Sequence, residues 1–223
     1  MSNFDKNLLE IIEESQTVLF DIERVLYTRR YNLSQKHFDI FSIQSISMIY
    51  SIWEGFVKKS FNLYIDELNS LNLKFEDLSK DIAIYDMENK FKQLIEYPQK
   101  TEKKIEFYKK LKEFHNTEIH PISRTINSES NVSFEVINKL LFTFSLKPYP
   151  EYWEKYSHPN PNLKIIMFDF LRYRNGVAHG GDISSEDKVT HLVFEKYKNL
   201  ILDLMYSIHE KMIDGLTNKT YLK

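Results

Sequence analysis

The stretch "IQSISMIYSIWEGFVKKSF" (residues 43–61) is apolar on nearly every side when it is drawn as a helix. A surface helix keeps a polar face toward water, so a helix of this composition is typical of the middle of a bundle. Ser34 is a suitable N-cap for it. The pattern predicts a central helix from about residue 35 to 69, with buried positions at Phe38, Phe41, Ile46, Ile49, Ile52, Trp53, Phe56, Phe61 and Tyr64.

An amphipathic helix is predicted before this central one. Proline is absent before Pro98, and Gly55 is the one glycine in that part of the chain. Such a composition favours long helices over a series of turns. The residues on one face of this first helix repeat at helical spacing, and all but Ser15 are apolar: Phe4, Leu8, Ile11, Ile12, Ser15, Val18, Leu19, Ile22, Val25 and Leu26.

Two more core helices follow in the last third of the chain. Asn160 and Pro161 suit the N-cap and first position of the third helix, whose apolar stripe is Leu163, Ile166, Met167 and Phe170. Ser184 and Asp187 resemble a capping box, so the fourth helix is expected to start near Ser184 or Ser185. Its buried face runs through Val189, Leu192, Val193, Leu200, Ile201, Leu204, Ile208 and Met212.

The middle of the chain is less regular. Shorter helices are predicted over residues 87–97, 101–115 and 134–143, with a loop at 120–133 and a proline-rich connector after them. Strand signals are weak. We therefore predict an all-α fold with one domain over residues 1–223, a four-helix bundle that carries residues 74–160 as a helical insertion.

Composition limits the function. The chain has 42% hydrophobic and 28% charged residues, a net charge of −2 and no cysteine. It is therefore expected to be globular, without disulfides, thiol catalysis or cysteine-ligated zinc. The N-terminal stretch is too acidic for a signal peptide and no apolar run reaches about 18 residues. These features predict a cytoplasmic protein without a membrane segment.

The stretch "LRYRNGVAHGG" (residues 171–181) breaks the pattern of the third helix. It holds three of the five glycines, and it places Arg174 next on the apolar stripe after Phe170. A guanidinium at a core-facing position is costly unless it is paired, solvated in a cleft or kept for an anion. On a straight helix, Arg174 and His179 would diverge by about 140° and about 7.5 Å. An interruption at Gly176, or an end at Gly180 and Gly181, would bring them together.

These residues resemble a known family. "RNGVAHG" resembles the motif of the HEPN superfamily of helical-bundle ribonucleases, in which four to six residues separate an arginine from a histidine. "IWEGFVKKSF" (52–61) is similar to the tryptophan–glutamate segment of its RiboL-PSP and MAE-type group. The spacing by itself does not select one pair, because it also fits Arg30 with His37 and Arg172 with His179. The asparagine after Arg174 and the third-helix position favour Arg174 with His179.

The resemblance implies an endoribonuclease that needs no metal or cofactor and uses the 2′-hydroxyl of RNA as nucleophile. Arg174 would bind the phosphate and His179 would move protons. Asn175 would orient the phosphate or the histidine, or it would be a helix C-cap. The family further implies a toxin or effector of microbial defence, with a possible antitoxin protein. The alternative is a HEPN-like bundle that binds a nucleotide or a partner protein without cutting.

One arginine and one histidine are few groups for acid–base catalysis, which needs a base at the 2′-hydroxyl and an acid at the leaving 5′-oxygen. A homodimer would supply two copies of "RNGVAHG" to one composite active site. HEPN relatives are expected to assemble in this way. The sequence therefore predicts a homodimer that binds RNA.

Three features outside the motif keep two interpretations each, and a fourth, Asp182, has one. Glu54 either supports Arg174 or is a surface carboxylate beside Lys58. The run "KTEKKIEFYKKLK" (100–112) has six lysines and two glutamates, so it attracts RNA or forms the solvated face of a helix. His115 and His120 with Glu118 are metal ligands or loop residues. Asp182, just past the motif, is interpreted as a turn or cap residue rather than a catalytic one.

Overall fold

The computed structural model describes residues 2–119, 121–126, 131–156, 162–178 and 189–223. These parts form seven α-helices and no strand; the backbone pairs as isolated bridges at Lys74 with Ile119 and at Leu78 with Leu222. The helices are α1 (Asn3–Tyr27), α2 (Gln35–Ser70), α3 (Lys80–Lys90), α4 (Thr101–Asn116), α5 (Phe134–Thr143), α6 (Leu163–Ala178) and α7 (His191–Thr217). The predicted all-α fold is confirmed.

Helix α2 is the centre of the bundle and packs against α1, α6 and α7. It begins where the sequence predicts, because the Ser34 Oγ accepts a hydrogen bond from the His37 N–H at 3.4 Å. Trp53 and Phe61 are fully buried along it, while Phe41 is 51% exposed near its first turns. The central helix is therefore confirmed, except that its N-terminal end is less buried than the apolar pattern suggests.

The segment between α2 and α6 contributes to two cores. Ile82 of α3 and Ile137 of α5 belong to the main core, together with buried residues of α1, α2, α6 and α7. Phe107 and Phe114 of α4 pack with Phe91 in a second, smaller cluster. The limits of the predicted insertion, residues 74–160, stay a prediction.

The predicted helix at 87–97 is misplaced. The chain instead forms α3 at Lys80–Lys90, followed by a 3₁₀ turn at Lys92–Leu94. Asp86, which is fully buried in α3, accepts hydrogen bonds from Lys90 at 2.6 Å and from the Ser123 N–H at 2.8 Å. A buried carboxylate breaks the apolar pattern that helix prediction depends on, so tertiary partners rather than a hydrophobic stripe define this helix.

The starts of the last two helices also differ from prediction. Helix α6 is capped by Asn162, whose Oδ1 accepts a hydrogen bond from the Ile165 N–H at 2.9 Å; the predicted N-cap, Asn160, lies outside the described residues. Helix α7 begins at His191 with Thr190 as its N-cap. Consequently Leu192 lies in the first turn and is 77% exposed, contrary to its predicted burial. Residues 157–161 and 179–188, which include Pro161, Ser184, Ser185 and Asp187, lie outside the described residues.

Candidate functional site

Helix α6 carries the arginine and asparagine of the motif. Its buried face follows the predicted stripe through Phe170, and Arg174 is the next residue on that stripe. The Arg174 side chain is half-buried. The helix continues through Gly176 to Ala178, so the predicted interruption at Gly176 is wrong. Asn175 lies within the helix and is not its C-cap.

Three neighbours hold the Arg174 guanidinium. Nη1 donates to Oδ1 of Asn131 at 3.0 Å and to Oδ1 of Asn175 at 2.9 Å. The Cζ atom lies 4.6 Å from the centre of the Tyr50 ring, within the range of a cation–π interaction. Arginine has donors only, so both asparagines must present their carbonyl oxygens to it. Two neutral amides and one aromatic face therefore position the charge.

One edge of the guanidinium has no protein partner in the part of the chain that the structure describes. Nε and Nη2 make no hydrogen bond there, and no carboxylate lies within 4.0 Å of Arg174 in that part. The Nε–Nη2 edge offers two parallel donors, the geometry that binds two oxygens of a phosphate or a carboxylate. The arrangement can bind an anion.

Helix α2 fixes the loop that supplies Asn131. The Val132 N–H donates to the Tyr50 hydroxyl at 3.0 Å, and the Trp53 Nε1–H donates to the Val132 carbonyl at 3.2 Å. Val132 is 1% exposed and Trp53 fully buried. Burial raises the pKa of Tyr50, and the nearby Glu54 carboxylate raises it further against the opposing effects of the Val132 N–H and Arg174. The phenol is therefore neutral at physiological pH.

Glu54 lies on the same helix as Tyr50 and Trp53. Its carboxylate accepts a hydrogen bond from Lys58 at 2.6 Å, and its side chain is 23% exposed. Within the described chain, Lys58 is its ion-pair partner. The structure thus places Glu54 beside Lys58 and close to Tyr50, where its charge acts on the phenol.

His179 lies outside the residues that the structure describes, together with Gly180, Gly181 and Asp182. Its catalytic role and its position relative to Arg174 stay predictions, as does an end of the helix at the two glycines.

The other arginines that fit the motif spacing, Arg172 and Arg30, lie on the surface. The Arg172 side chain is 65% exposed and forms an ion pair with Asp169 at 3.8 Å. Arg30 and His37 are exposed near the turn between α1 and α2. Of these arginines, Arg174 is the one on the core-facing side of a helix.

The alternatives outside the motif can be compared with the structure. Lysines of the run at 100–112 line the exposed side of α4, while Phe107 and Phe114 face the small aromatic cluster. This is the solvated face of an amphipathic helix. His115 and Glu118 lie in the described chain and His120 does not; among the described residues, no three His, Asp or Glu side chains gather around a possible metal position.

Asn131 and Tyr50 are site residues that the sequence did not indicate. Tyr50 precedes Glu54 by one helical turn, which is a weak signal that it shares the same face. Asn131 is 43 residues before Arg174 in an irregular segment, and no spacing rule connects such positions.

Comparison with known proteins agrees with this architecture. The MAE_28990-like HEPN family model matches residues 4–221, nearly the whole chain. A search of curated proteins and a search of solved structures each gave no match. No helix in the described ranges combines the length and apolar character needed to cross a membrane. The match over residues 4–221, together with the helical bundle, shows that the chain belongs to the HEPN superfamily, in its MAE_28990-like group.

Proposed function

We propose that the protein is a metal-independent endoribonuclease that cleaves RNA by attack of the 2′-hydroxyl on the adjacent phosphate. The observation that carries this proposal is the Arg174 guanidinium, which Asn131, Asn175 and Tyr50 hold in place while its Nε–Nη2 edge makes no hydrogen bond to any residue that the structure describes. A preorganised cation suits a reaction in which negative charge develops on phosphate oxygens. The products would carry a 2′,3′-cyclic phosphate and a 5′-hydroxyl.

The residues of the motif have distinct roles in this reaction. Arg174 binds the non-bridging oxygens of the scissile phosphate. His179 acts as base or acid, since an unperturbed imidazole titrates at about pH 6.5. Asn175 orients Arg174 through its Oδ1. No step requires a metal ion.

A homodimer with a composite active site supplies the second proton-transfer group. The exposed side of α6 supports this proposal, because Ile165 and Phe168 are 46% and 66% exposed on the helix that carries Arg174. Exposed apolar side chains of this kind are typical of an interface. In a twofold dimer that pairs α6 and α7 of the two protomers, each protomer would contribute its Arg174 and His179 to one cleft.

Family membership suggests the biological setting. A toxin or effector of a toxin–antitoxin or antiviral defence system would act on cellular RNA, and a partner antitoxin protein would restrain it. Within this proposal RNA is the substrate and the cytoplasm is its location.

Incubating the purified protein with total RNA, with and without EDTA, tests the proposal. Cleavage should persist in EDTA and should fall by at least about 100-fold in folded His179→Ala and Arg174→Ala proteins. Arg172→Ala is the matched control on the same helix and should cut like the wild type. Cleavage that EDTA abolishes, or that His179→Ala retains, would refute the mechanism. A protein that binds RNA or a nucleotide but leaves RNA intact would instead support the non-catalytic alternative.

A further inference from the structure

We propose that Asn131 is a positioning residue of the Arg174 site, so that Asn131 and Val132 form one side of that site. The expected effect of Asn131 on RNA cleavage rests on the proposed function. The expected effect of Asn131 on the mobility of the Arg174 side chain rests on geometry alone. It assigns a role to a part of the chain that lies far from the motif in sequence.

The Arg174 guanidinium donates its hydrogen bonds to described residues through Nη1. Both hydrogens of Nη1 are used, one by Asn131 and one by Asn175. Asn175 is the next residue on α6, so its bond restrains the guanidinium relative to α6 itself. Asn131 comes from another segment and ties the guanidinium to a second part of the bundle. The Asn131 Oδ1 and the Tyr50 ring together define where the Nε–Nη2 edge points.

The backbone beside Asn131 is itself held by two side chains of α2. The next residue, Val132, is bonded at both its N–H and its carbonyl, by the Tyr50 hydroxyl and the Trp53 indole respectively. These two residues are one helical turn apart on α2 and are almost fully buried. Tyr50 therefore contacts Arg174 directly through its ring and indirectly through Val132 and Asn131.

The Asn131 amide leaves the positive charge of the Arg174 guanidinium unchanged. An amide oxygen accepts a hydrogen bond from Nη1 without neutralising the guanidinium, so the full positive charge remains available to an anion. A carboxylate at position 131 would keep the hydrogen bond but would compete with phosphate for the same cation. The asparagine thus combines a fixed orientation with an unreduced charge.

Asn131→Ala and Asn131→Asp separate the effect of Asn131 on the orientation of Arg174 from its effect on the charge of the site. With a defined RNA substrate, Asn131→Ala should lower kcat by roughly 10- to 100-fold because Arg174 is no longer oriented, and it should have no further effect in an Arg174→Ala background. Asn131→Asp should keep Arg174 ordered and mainly raise KM. Asn199→Ala, an exposed asparagine on α7, is the matched control.

A second readout does not depend on cleavage. In ¹⁵N NMR spectra, the Nε–H signal of Arg174, assigned by its loss in Arg174→Ala, should be ordered in the wild type and in Asn131→Asp, and mobile in Asn131→Ala. Thermal melting checks that each variant folds. The inference is overturned if Asn131→Ala folds and its Arg174 Nε–H signal stays ordered. It is also overturned if Asn131→Ala lowers kcat by the same factor in the wild-type background and in the Arg174→Ala background. If the wild type does not cut RNA, the proposed function fails while the NMR comparison still decides whether Asn131 positions Arg174.

Discussion

The guanidinium of Arg174 lies over the ring of Tyr50, with 4.6 Å between Cζ and the ring centre. Tyr50 is 2% exposed, so a residue of the bundle core forms the floor beneath the charge. The face of the ring attracts the cation without supplying a counter-ion. This contact explains how a core-facing arginine is tolerated on α6 while its charge stays available.

Arg174→Lys should lower kcat/KM for RNA cleavage by roughly 10- to 100-fold. Lysine keeps the positive charge but has no planar fork, so it cannot bind both asparagines and two phosphate oxygens. Arg172→Lys is the control, since Arg172 is 65% exposed and paired with Asp169. Equal cleavage by Arg174→Lys and the wild type would mean that charge alone is sufficient.

Phe168→Asp should produce a monomer with reduced specific activity, because it places a charge on the exposed apolar side of α6. Sedimentation velocity and cleavage measured over a dilution series provide the test. Tyr108→Asp on α4, where Tyr108 is similarly exposed at 67%, should stay dimeric and active. A monomeric protein with full activity would contradict the composite site.

Glu23→Gln should destabilise the protein by about 3 kcal/mol at pH 7, since Lys198 would lose the partner of a buried ion pair. Glu23 Oε2 accepts from Lys198 at 2.6 Å, and the Lys198 side chain is 7% exposed. Asp21→Asn removes an exposed pair on the same helix and should cost no more than about 0.5 kcal/mol. Denaturant unfolding measures both changes.

The effect of Glu23→Gln should depend on pH. Burial alone would raise the pKa of Glu23, but the hydrogen bonds and charges of Lys198 and His191 outweigh it, so the pKa lies below its usual value of 4.5. A lowered pKa stabilises the folded state above the unfolded pKa, and this stabilisation is lost as pH falls through the folded value. The difference between Glu23→Gln and the wild type should therefore shrink below about pH 4. A difference that stays constant down to pH 3 would exclude the ion pair as its source.

Alanine at two helical glycines should have opposite effects on unfolding free energy. A Cβ on Gly55 of α2 would meet nothing within 4 Å, so Gly55→Ala should stabilise by about 0.5–1 kcal/mol. A Cβ on Gly215 of α7 would lie 2.5 Å from Leu146 Cδ2 and 2.9 Å from the Tyr64 hydroxyl. Gly215→Ala should destabilise by about 1–3 kcal/mol through overpacking. Thermal or urea unfolding of the pair tests the close packing of α7 against Leu146 and Tyr64.

The long helices could be predicted because burial leaves a periodic record in sequence. Helix α2 begins after Ser34 as expected, and the stripe of α6 from Leu163 to Phe170 is buried as expected. Helix α3 could not be predicted, since the buried Asp86 is satisfied by Ser123, which is 37 residues away. Leu192 was misassigned for a related reason: apolar spacing does not reveal that a helix starts at His191.

The sequence by itself determined that the chain is a helical bundle around α2, that Arg174 lies on the core-facing side of α6, and that the chain resembles HEPN proteins. Local periodicity, caps and a short motif suffice for such conclusions. Only the tertiary structure decided that Asn131 and Tyr50 hold Arg174. Contacts of Arg174 with a loop and a neighbouring helix depend on how the elements pack, and a linear pattern does not encode the distance between residues 43 positions apart.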